Sequence, residues 1–90
     1  MNPPMEPTRQ WSVTNEAGLL DFYDHAFTPA YRYAARLVRG DHAAAEDLVQ
    51  DAFVRLVRSM RSGDVSDVGV GWLITTIRRR FIDRLRSVKR

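Results

Sequence analysis

Apolar side chains recur every three to four residues through most of this chain, and that spacing is the period of an α-helix. The clearest case runs from Leu48 to Met60, where the apolar residues fall on one stripe of a helix. No segment alternates convincingly between apolar and polar residues, as a half-buried strand would. The pattern therefore predicts an all-α fold, a compact bundle of three to four helices.

Capping residues mark the expected ends of the helices. Asn15 is a suitable N-cap for a first helix. Thr28 and Pro29 suit the N-cap and the first residue of a second helix, which Gly40 would close. Asp41 is a suitable N-cap for a third helix.

A glycine-rich stretch separates the third helix from the last one. Residues 62–71 contain three glycines and show no helical period, so we expect a loop there. The last helix is expected to begin near residues 70–72 and to run to the end of the chain. Its predicted buried stripe consists of Leu73, Ile77, Phe81, Leu85 and Val88.

The start of the chain differs from the rest. Three of the first seven residues are prolines, and helical periodicity begins only near Val13. We therefore expect residues 1–14 to form a flexible leader outside the fold and residues 15–90 to form one domain. The lack of cysteine excludes a disulfide framework. The sequence contains neither a secretory signal nor an apolar stretch long enough to span a bilayer, so we expect a cytoplasmic protein.

Positive charge is concentrated at the end of the chain. From Trp72 onward seven basic residues stand against one acid, a net charge of +6, and the residues before Trp72 sum to −3. Guanidinium groups on a rigid helix bind phosphate well, so the three arginines at 78–80 favour a nucleic-acid partner. A solvated terminal helix is the alternative interpretation. Trp72 is likewise open to two interpretations, as a core anchor or as a surface on which a base stacks.

Acidic residues cluster on one face of the third helix, where Asp47, Gln50 and Asp51 lie at i, i+3 and i+4. Acid–base catalysis needs a facing partner and a pocket, and the sequence indicates neither. His42 and Glu46 share a helix face, but two groups are too few for a metal site. We therefore predict that the chain is not an enzyme and has no catalytic residue, metal or cofactor.

Three segments form an ordered series along the chain. They are YRYAARLVRGD at residues 31–41, AEDLVQDAF at residues 45–53, and an ending that runs from Trp72-Leu73-Ile74 to Ile82-Asp83-Arg84-Leu85-Arg86. In this order and at this separation, the segments resemble region 2 of the extracytoplasmic function (ECF) sigma factors of bacterial RNA polymerase. The resemblance covers about residues 19–90.

The resemblance implies a transcription initiation domain that binds the clamp helices of core RNA polymerase, in its β′ subunit, and the melted single-stranded −10 promoter element. The residues it implies for polymerase binding are Asp47, Gln50, Asp51, Phe53, Val57 and Arg58. Those it implies for DNA binding are Met60, Arg61, Ser62, Gly63 and Asp64 in the loop that holds a flipped base, and Trp72, Thr75, Arg78, Arg79 and Arg80 on the last helix. Asp83 is expected to orient the neighbouring arginines.

Two alternatives to this function stay open. One is a generic basic helical module that binds nucleic acid without polymerase, and the other is an interaction domain held by an anti-sigma factor. The second domain of the family, a helix-turn-helix, does not follow region 2 in this sequence. We therefore expect either a fragment of a two-domain sigma factor or a one-domain protein.

Overall fold

The computed structural model describes residues 9–88 and shows three helices packed into a bundle. The helices are α1 (Glu16–Leu37), α2 (His42–Arg61) and α3 (Val70–Val88). Two short strands, β1 (Trp11–Ser12) and β2 (Asp67–Val68), pair antiparallel. The predicted all-α bundle is confirmed, with the strand pair as a minor addition.

The first helix continues through the proline at which the sequence predicted a new helix. α1 is a single helix of 22 residues with Pro29 in its interior. An interior proline removes one backbone hydrogen bond and costs about 3 kcal/mol. Phe22, Ala26, Ala30 and Ala34 are nevertheless all fully buried, so the apolar stripe crosses Pro29 without a break. The predicted restart at residues 28 and 29 is wrong because packing on both sides of the proline outweighs its local effect.

The two N-caps predicted for the longer helices are confirmed. Asn15 Oδ1 accepts a hydrogen bond from the Gly18 N–H at 2.8 Å. Asp41 Oδ1 accepts one from the Ala44 N–H at 3.1 Å. Each cap satisfies one of the amide groups that have no partner within the first turn of a helix.

Between α1 and α2 the chain turns through two residues in the left-handed region. Arg39 has a φ of 56° and Gly40 a φ of 84°. The Gly40 N–H donates to the Ala35 carbonyl oxygen at 2.9 Å, which closes the last turn of α1 as in a Schellman motif. The residue that begins the left-handed turn is thus an arginine, where glycine is usual.

The segment before α1 belongs to the fold, contrary to the prediction of a leader over residues 1–14. Trp11 pairs with Val68 in the short sheet, and Val13 is fully buried. The Val13 N–H also donates to the Ser66 carbonyl oxygen at 2.8 Å. The prediction is wrong for residues 11–13 because the prolines that suggested it all lie within the first seven residues. Residues 1–8, the rest of that predicted leader, lie outside the described part of the chain.

The last helix begins at Val70, inside the predicted range, and β2 lies within the stretch predicted as a loop. Leu73 and Ile77 are fully buried, as their spacing indicated. Leu85 is 45% exposed, so its place in the predicted buried stripe is wrong. The helix reaches the end of its contact with α2 near Leu85, where little remains to cover an apolar side chain. Residues 89 and 90, the end of the predicted helix, lie outside the described residues.

Candidate functional site

A cleft of about 480 Å³ opens where β2 leads into α3. Trp72, Thr75, Thr76 and Arg79 of α3 form one side of it. The remaining lining residues are Gln10, Asp67, Val68, Gly69 and Gly71. The strand pair therefore brings the start of the described chain to the same cleft as the basic helix.

A smaller cleft of about 260 Å³ lies on the other side of the same helix turns, between α2 and α3. Trp72, Thr76 and Arg79 line both clefts and so form the ridge between them. The Thr76 hydroxyl donates to the Trp72 carbonyl oxygen at 2.9 Å, so it is turned back onto its own helix. Trp72 is partly buried against the core, and both of the interpretations left open for it hold in part. Its ring packs on the core while it also borders two open clefts.

Two arginines of α3 are free to meet a ligand from solvent. Arg78 and Arg79 are exposed, and within residues 9–88 neither forms an ion pair. Thr75, one turn before Arg79, is exposed as well. Guanidinium groups without an internal partner can give their hydrogen bonds to phosphate oxygens. The structure therefore brings together Trp72, Thr75, Arg78 and Arg79 of the predicted DNA-binding set.

Arg80 is engaged differently from its two neighbours. Its Nε lies 2.6 Å from Asp51 Oδ2 on α2, and both side chains are less than one third exposed. Asp83 Oδ2 lies 3.6 Å from Arg80 Nη1, in agreement with the expectation that Asp83 orients an arginine. Arg55 also approaches Asp51, at 3.6 Å. Arg80 thus sits among carboxylates on the smaller cleft, which weakens its claim to a phosphate.

A second ion pair joins the same two helices one turn away. Arg84 Nη2 lies 2.8 Å from Asp47 Oδ2, at a more exposed position. The sequence assigned the acids of α2 and the arginines of α3 to two separate partners. The structure pairs two of those acids with two of those arginines.

The other residues predicted to bind polymerase fall into two groups. Gln50 and Arg58 are exposed, and Val57 is partly buried. Phe53 is only 7% exposed and packs against the rings of Phe22 and Tyr23. The prediction of Phe53 as the edge of an interface is therefore corrected, because its side chain fills the core.

The loop after α2 is tightly folded onto the end of that helix. Gly63 has a φ of 81°, and the Asp64 N–H donates to the Ser59 carbonyl oxygen at 2.9 Å. The Ser62 hydroxyl donates to Asp64 Oδ2 at 3.0 Å. The predicted DNA-binding residues of this loop are Met60, Arg61, Ser62, Gly63 and Asp64, and neither of the two clefts is lined by them. Their role in DNA binding stays a prediction.

Sequence reasoning missed the wall of the larger cleft that Gln10, Asp67 and Gly69 supply. Gln10 fell in the predicted leader and the other two in the predicted loop. The only signal was the alternation of Trp11, Ser12 and Val13, which is too short to stand out from chance.

Metal binding finds no support in the part of the chain that the structure describes. No three histidine, aspartate or glutamate residues come together there as a metal site requires. His42 instead shares a hydrogen bond between its Nδ1 and the Tyr31 hydroxyl, which ties α2 to α1.

Comparison with known proteins agrees with the fold and with the features of this site. Residues 22–90 match the model of the family described as sigma-70 region 2. The match covers well over half of the chain, and the chain therefore belongs to the sigma-70 region 2 family, whose members are domains of transcription initiation factors.

The relatives place the chain among the ECF sigma factors. The ECF RNA polymerase sigma factor SigL of Mycobacterium tuberculosis is 38% identical over 76 residues, which are 82% of this chain and 42% of SigL. The ECF RNA polymerase sigma factor SigK of Mycobacterium ulcerans is 33% identical over 67 residues, 73% of this chain and 35% of SigK. The chain thus spans about two fifths of the length of these relatives or less. No solved structure matches the chain.

Within residues 9–88, no helix combines the length and the apolar character needed to cross a membrane.

Proposed function

We propose that this domain binds core RNA polymerase through the exposed face of α2 and holds the melted −10 promoter strand on α3. The observation that carries the proposal is the cleft of Trp72, Thr75 and Arg79 beside the exposed guanidinium of Arg78. Membership of the sigma-70 region 2 family and the likeness to ECF RNA polymerase sigma factors support it.

Single-stranded DNA needs two kinds of contact that this surface offers. Positively charged groups follow the phosphates, and aromatic rings or polar clefts receive the unstacked bases. Arg78 and Arg79 supply the first kind, and the cleft beside Trp72 supplies the second. Unstacking a base costs a few kcal/mol, which hydrogen bonds and stacking in the cleft have to offset.

The polymerase side of the proposal rests on the polar residues of α2. Gln50 is exposed, and the Asp47 side chain is 69% exposed despite its ion pair with Arg84. Asp51 is only 27% exposed, and its Oδ2 is occupied by Arg80. We therefore expect Gln50 and Asp47 to meet polymerase more directly than Asp51. Arg58, also exposed, extends this face toward the end of α2.

A paired binding experiment tests both halves of the proposal. The wild-type chain is expected to capture core polymerase in a pull-down and to bind a single-stranded −10 oligonucleotide in a sequence-dependent manner. Arg78→Glu together with Arg79→Glu should abolish DNA binding but leave polymerase capture intact. Gln50→Arg should weaken polymerase capture and leave binding of the isolated strand unchanged. Arg32→Glu, an exposed charge reversal on α1, serves as the control for both assays.

The same assays separate the alternatives. Binding that ignores strand sequence, with no capture of polymerase, would favour a generic basic nucleic-acid-binding module. Exposed apolar residues on α2 and α3, Val54, Ile82 and Leu85, are a specific observation in favour of a further protein partner such as an anti-sigma factor. If the double arginine reversal has no effect on DNA binding, the interaction-only function gains.

A further inference from the structure

The short segment before α1 is built into the domain although it precedes the part of the chain that matches the family. The family match begins at residue 22, whereas β1 already pairs Trp11 with Val68 and Ser12 with Asp67. Trp11 packs against Phe22, with ring centroids 5.4 Å apart. Backbone hydrogen bonds and an aromatic contact therefore fix this segment next to β2.

Two glycines make room for the segment. A Cβ on Gly18 would overlap the carbonyl oxygen of Ser12. A Cβ on Gly69 would lie 2.7 Å from the Arg9 carbonyl oxygen and 2.9 Å from Gln10 Nε2. Both distances are too short for a real side chain, so the backbone of residues 9–12 can lie where it does only because these positions carry hydrogen alone. The rest of the domain is shaped to receive the segment.

This packing places Gln10 on the wall of the larger cleft. Gln10 faces the same space as Thr75 and Arg79 of α3, and Asp67 borders that space as well. The cleft volume, about 480 Å³, lies within the range of about 300–1,000 Å³ typical of small-ligand sites, so one unstacked nucleobase fits. The glutamine amide offers a donor and an acceptor side by side, the arrangement that reads the edge of a base.

We infer that Gln10 is a specificity-determining residue of the DNA-binding cleft and that it selects a base with an exocyclic amino group, adenine or cytosine. The inference rests on the proposed capture of single-stranded DNA. Both bases present an amino donor next to a ring-nitrogen acceptor, which matches the carbonyl oxygen and the N–H of the amide. Asp67 adds a carboxylate, which accepts from an amino group and repels the carbonyl oxygens of guanine and thymine.

Binding of the chain to single-stranded oligonucleotides tests the inference, with each position of the −10 strand varied in turn through the four bases. At one position the wild-type chain should prefer adenine or cytosine over guanine and thymine by about five-fold or more. Gln10→Ala should reduce that ratio to within two-fold of unity and leave preferences at the other positions unchanged. Thr14→Ala is the matched control, because Thr14 is exposed in the same segment and does not line the cleft. The relative affinities for adenine and cytosine at that position decide between the two bases.

Each outcome bears on one of the two claims. If Gln10→Ala leaves all base ratios unchanged while the wild-type chain binds DNA, the inference about Gln10 is overturned and the proposed function stands. A uniform loss of affinity for all four bases also overturns it, since that is the mark of a non-selective contact. Failure of the wild-type chain to bind any strand overturns the proposed function, and the inference with it.

A cross-linking experiment tests the position of Gln10 independently of affinity. The chain contains no cysteine, so Gln10→Cys and Thr14→Cys each give one attachment point for a photoreactive thiol reagent. The label at residue 10 should cross-link to one nucleotide of the bound strand, and the label at residue 14 should give at most a weak, dispersed pattern. Equal cross-linking from both positions would overturn the inference.

Discussion

Arg80 Nε lies 2.6 Å from Asp51 Oδ2, and this ion pair joins the basic helix α3 to the acidic face of α2. The two residues carry opposite charges that the sequence assigned to different partners. Their pairing means that a substitution at either residue changes the bundle as well as any binding surface. Stability and binding therefore have to be measured separately at these positions.

The Asp51–Arg80 pair is expected to contribute measurably to stability. A double-mutant cycle with Asp51→Asn and Arg80→Gln should give a coupling energy of about 1–2 kcal/mol, because both partners are largely shielded from water and the hydrogen bond is charge-assisted. The measurement is urea unfolding followed by circular dichroism. The more exposed pair of Asp47 and Arg84 is the control, with an expected coupling of about 0.5 kcal/mol. Equal coupling in the two cycles would contradict the assignment.

The arginines of α3 should differ in how they affect the salt dependence of DNA binding. Each lost phosphate contact to a single strand lowers the slope of log K against log salt by about 0.7. Arg78→Gln and Arg79→Gln should each show that decrease, because both side chains are exposed and form no ion pair within residues 9–88. Arg80→Gln should leave the slope unchanged, because its guanidinium is already held by Asp51. A decrease at Arg80 equal to that at Arg78 would show that the ion pair opens when DNA binds.

The same substitution at two helical glycines should have opposite effects. Gly18→Ala is expected to destabilise the domain in spite of the higher helix propensity of alanine, because its Cβ would overlap the Ser12 carbonyl oxygen and push β1 away. Gly71→Ala meets nothing within 4 Å and should be neutral or stabilising by up to about 1 kcal/mol. Thermal unfolding measures both effects. Trp11 fluorescence in the Gly18 variant should also report increased exposure of the indole. If both variants gain stability, β1 is not held against α1 as described.

Relief of the left-handed turn after α1 should stabilise the protein. Arg39 has a φ of 56°, a conformation that costs a residue with a Cβ about 1 kcal/mol. Arg39→Gly is therefore expected to raise the free energy of unfolding by about that amount in urea titrations. Arg32→Gly, within α1, should lower it by about 1 kcal/mol, since glycine is a poor helix former there. A loss of stability at both positions would contradict the proposed strain.

Local sequence patterns were sufficient for the helices and their caps. The side chains of Asn15 and Asp41 make the capping bonds that their positions indicated, because a cap depends only on residues three positions away. The failure at Pro29 has the opposite cause. Whether a proline ends a helix depends on how firmly its two flanks are packed, and that packing comes from the other two helices.

The candidate site was predictable only where it lies on one helix. Trp72, Thr75 and Arg79 were brought together by helical spacing alone. Gln10 joins them through a strand pair with a partner 57 residues away along the chain, Trp11 with Val68. The pairing of Asp51 with Arg80 is equally non-local, and a count of charges along the sequence contains no information about it.

The two ion pairs between α2 and α3 also fix the axial register of the antiparallel helices. Asp47 and Asp51 are one turn apart on α2, and their partners Arg84 and Arg80 are one turn apart on α3. If α3 slid by one turn, about 5.4 Å, so that Arg80 faced Asp47, Asp51 would lie opposite Thr76, which carries no charge. Sliding is therefore penalised in discrete steps, and the DNA-facing helix is indexed against the helix proposed to face polymerase, as a key is indexed by its notches.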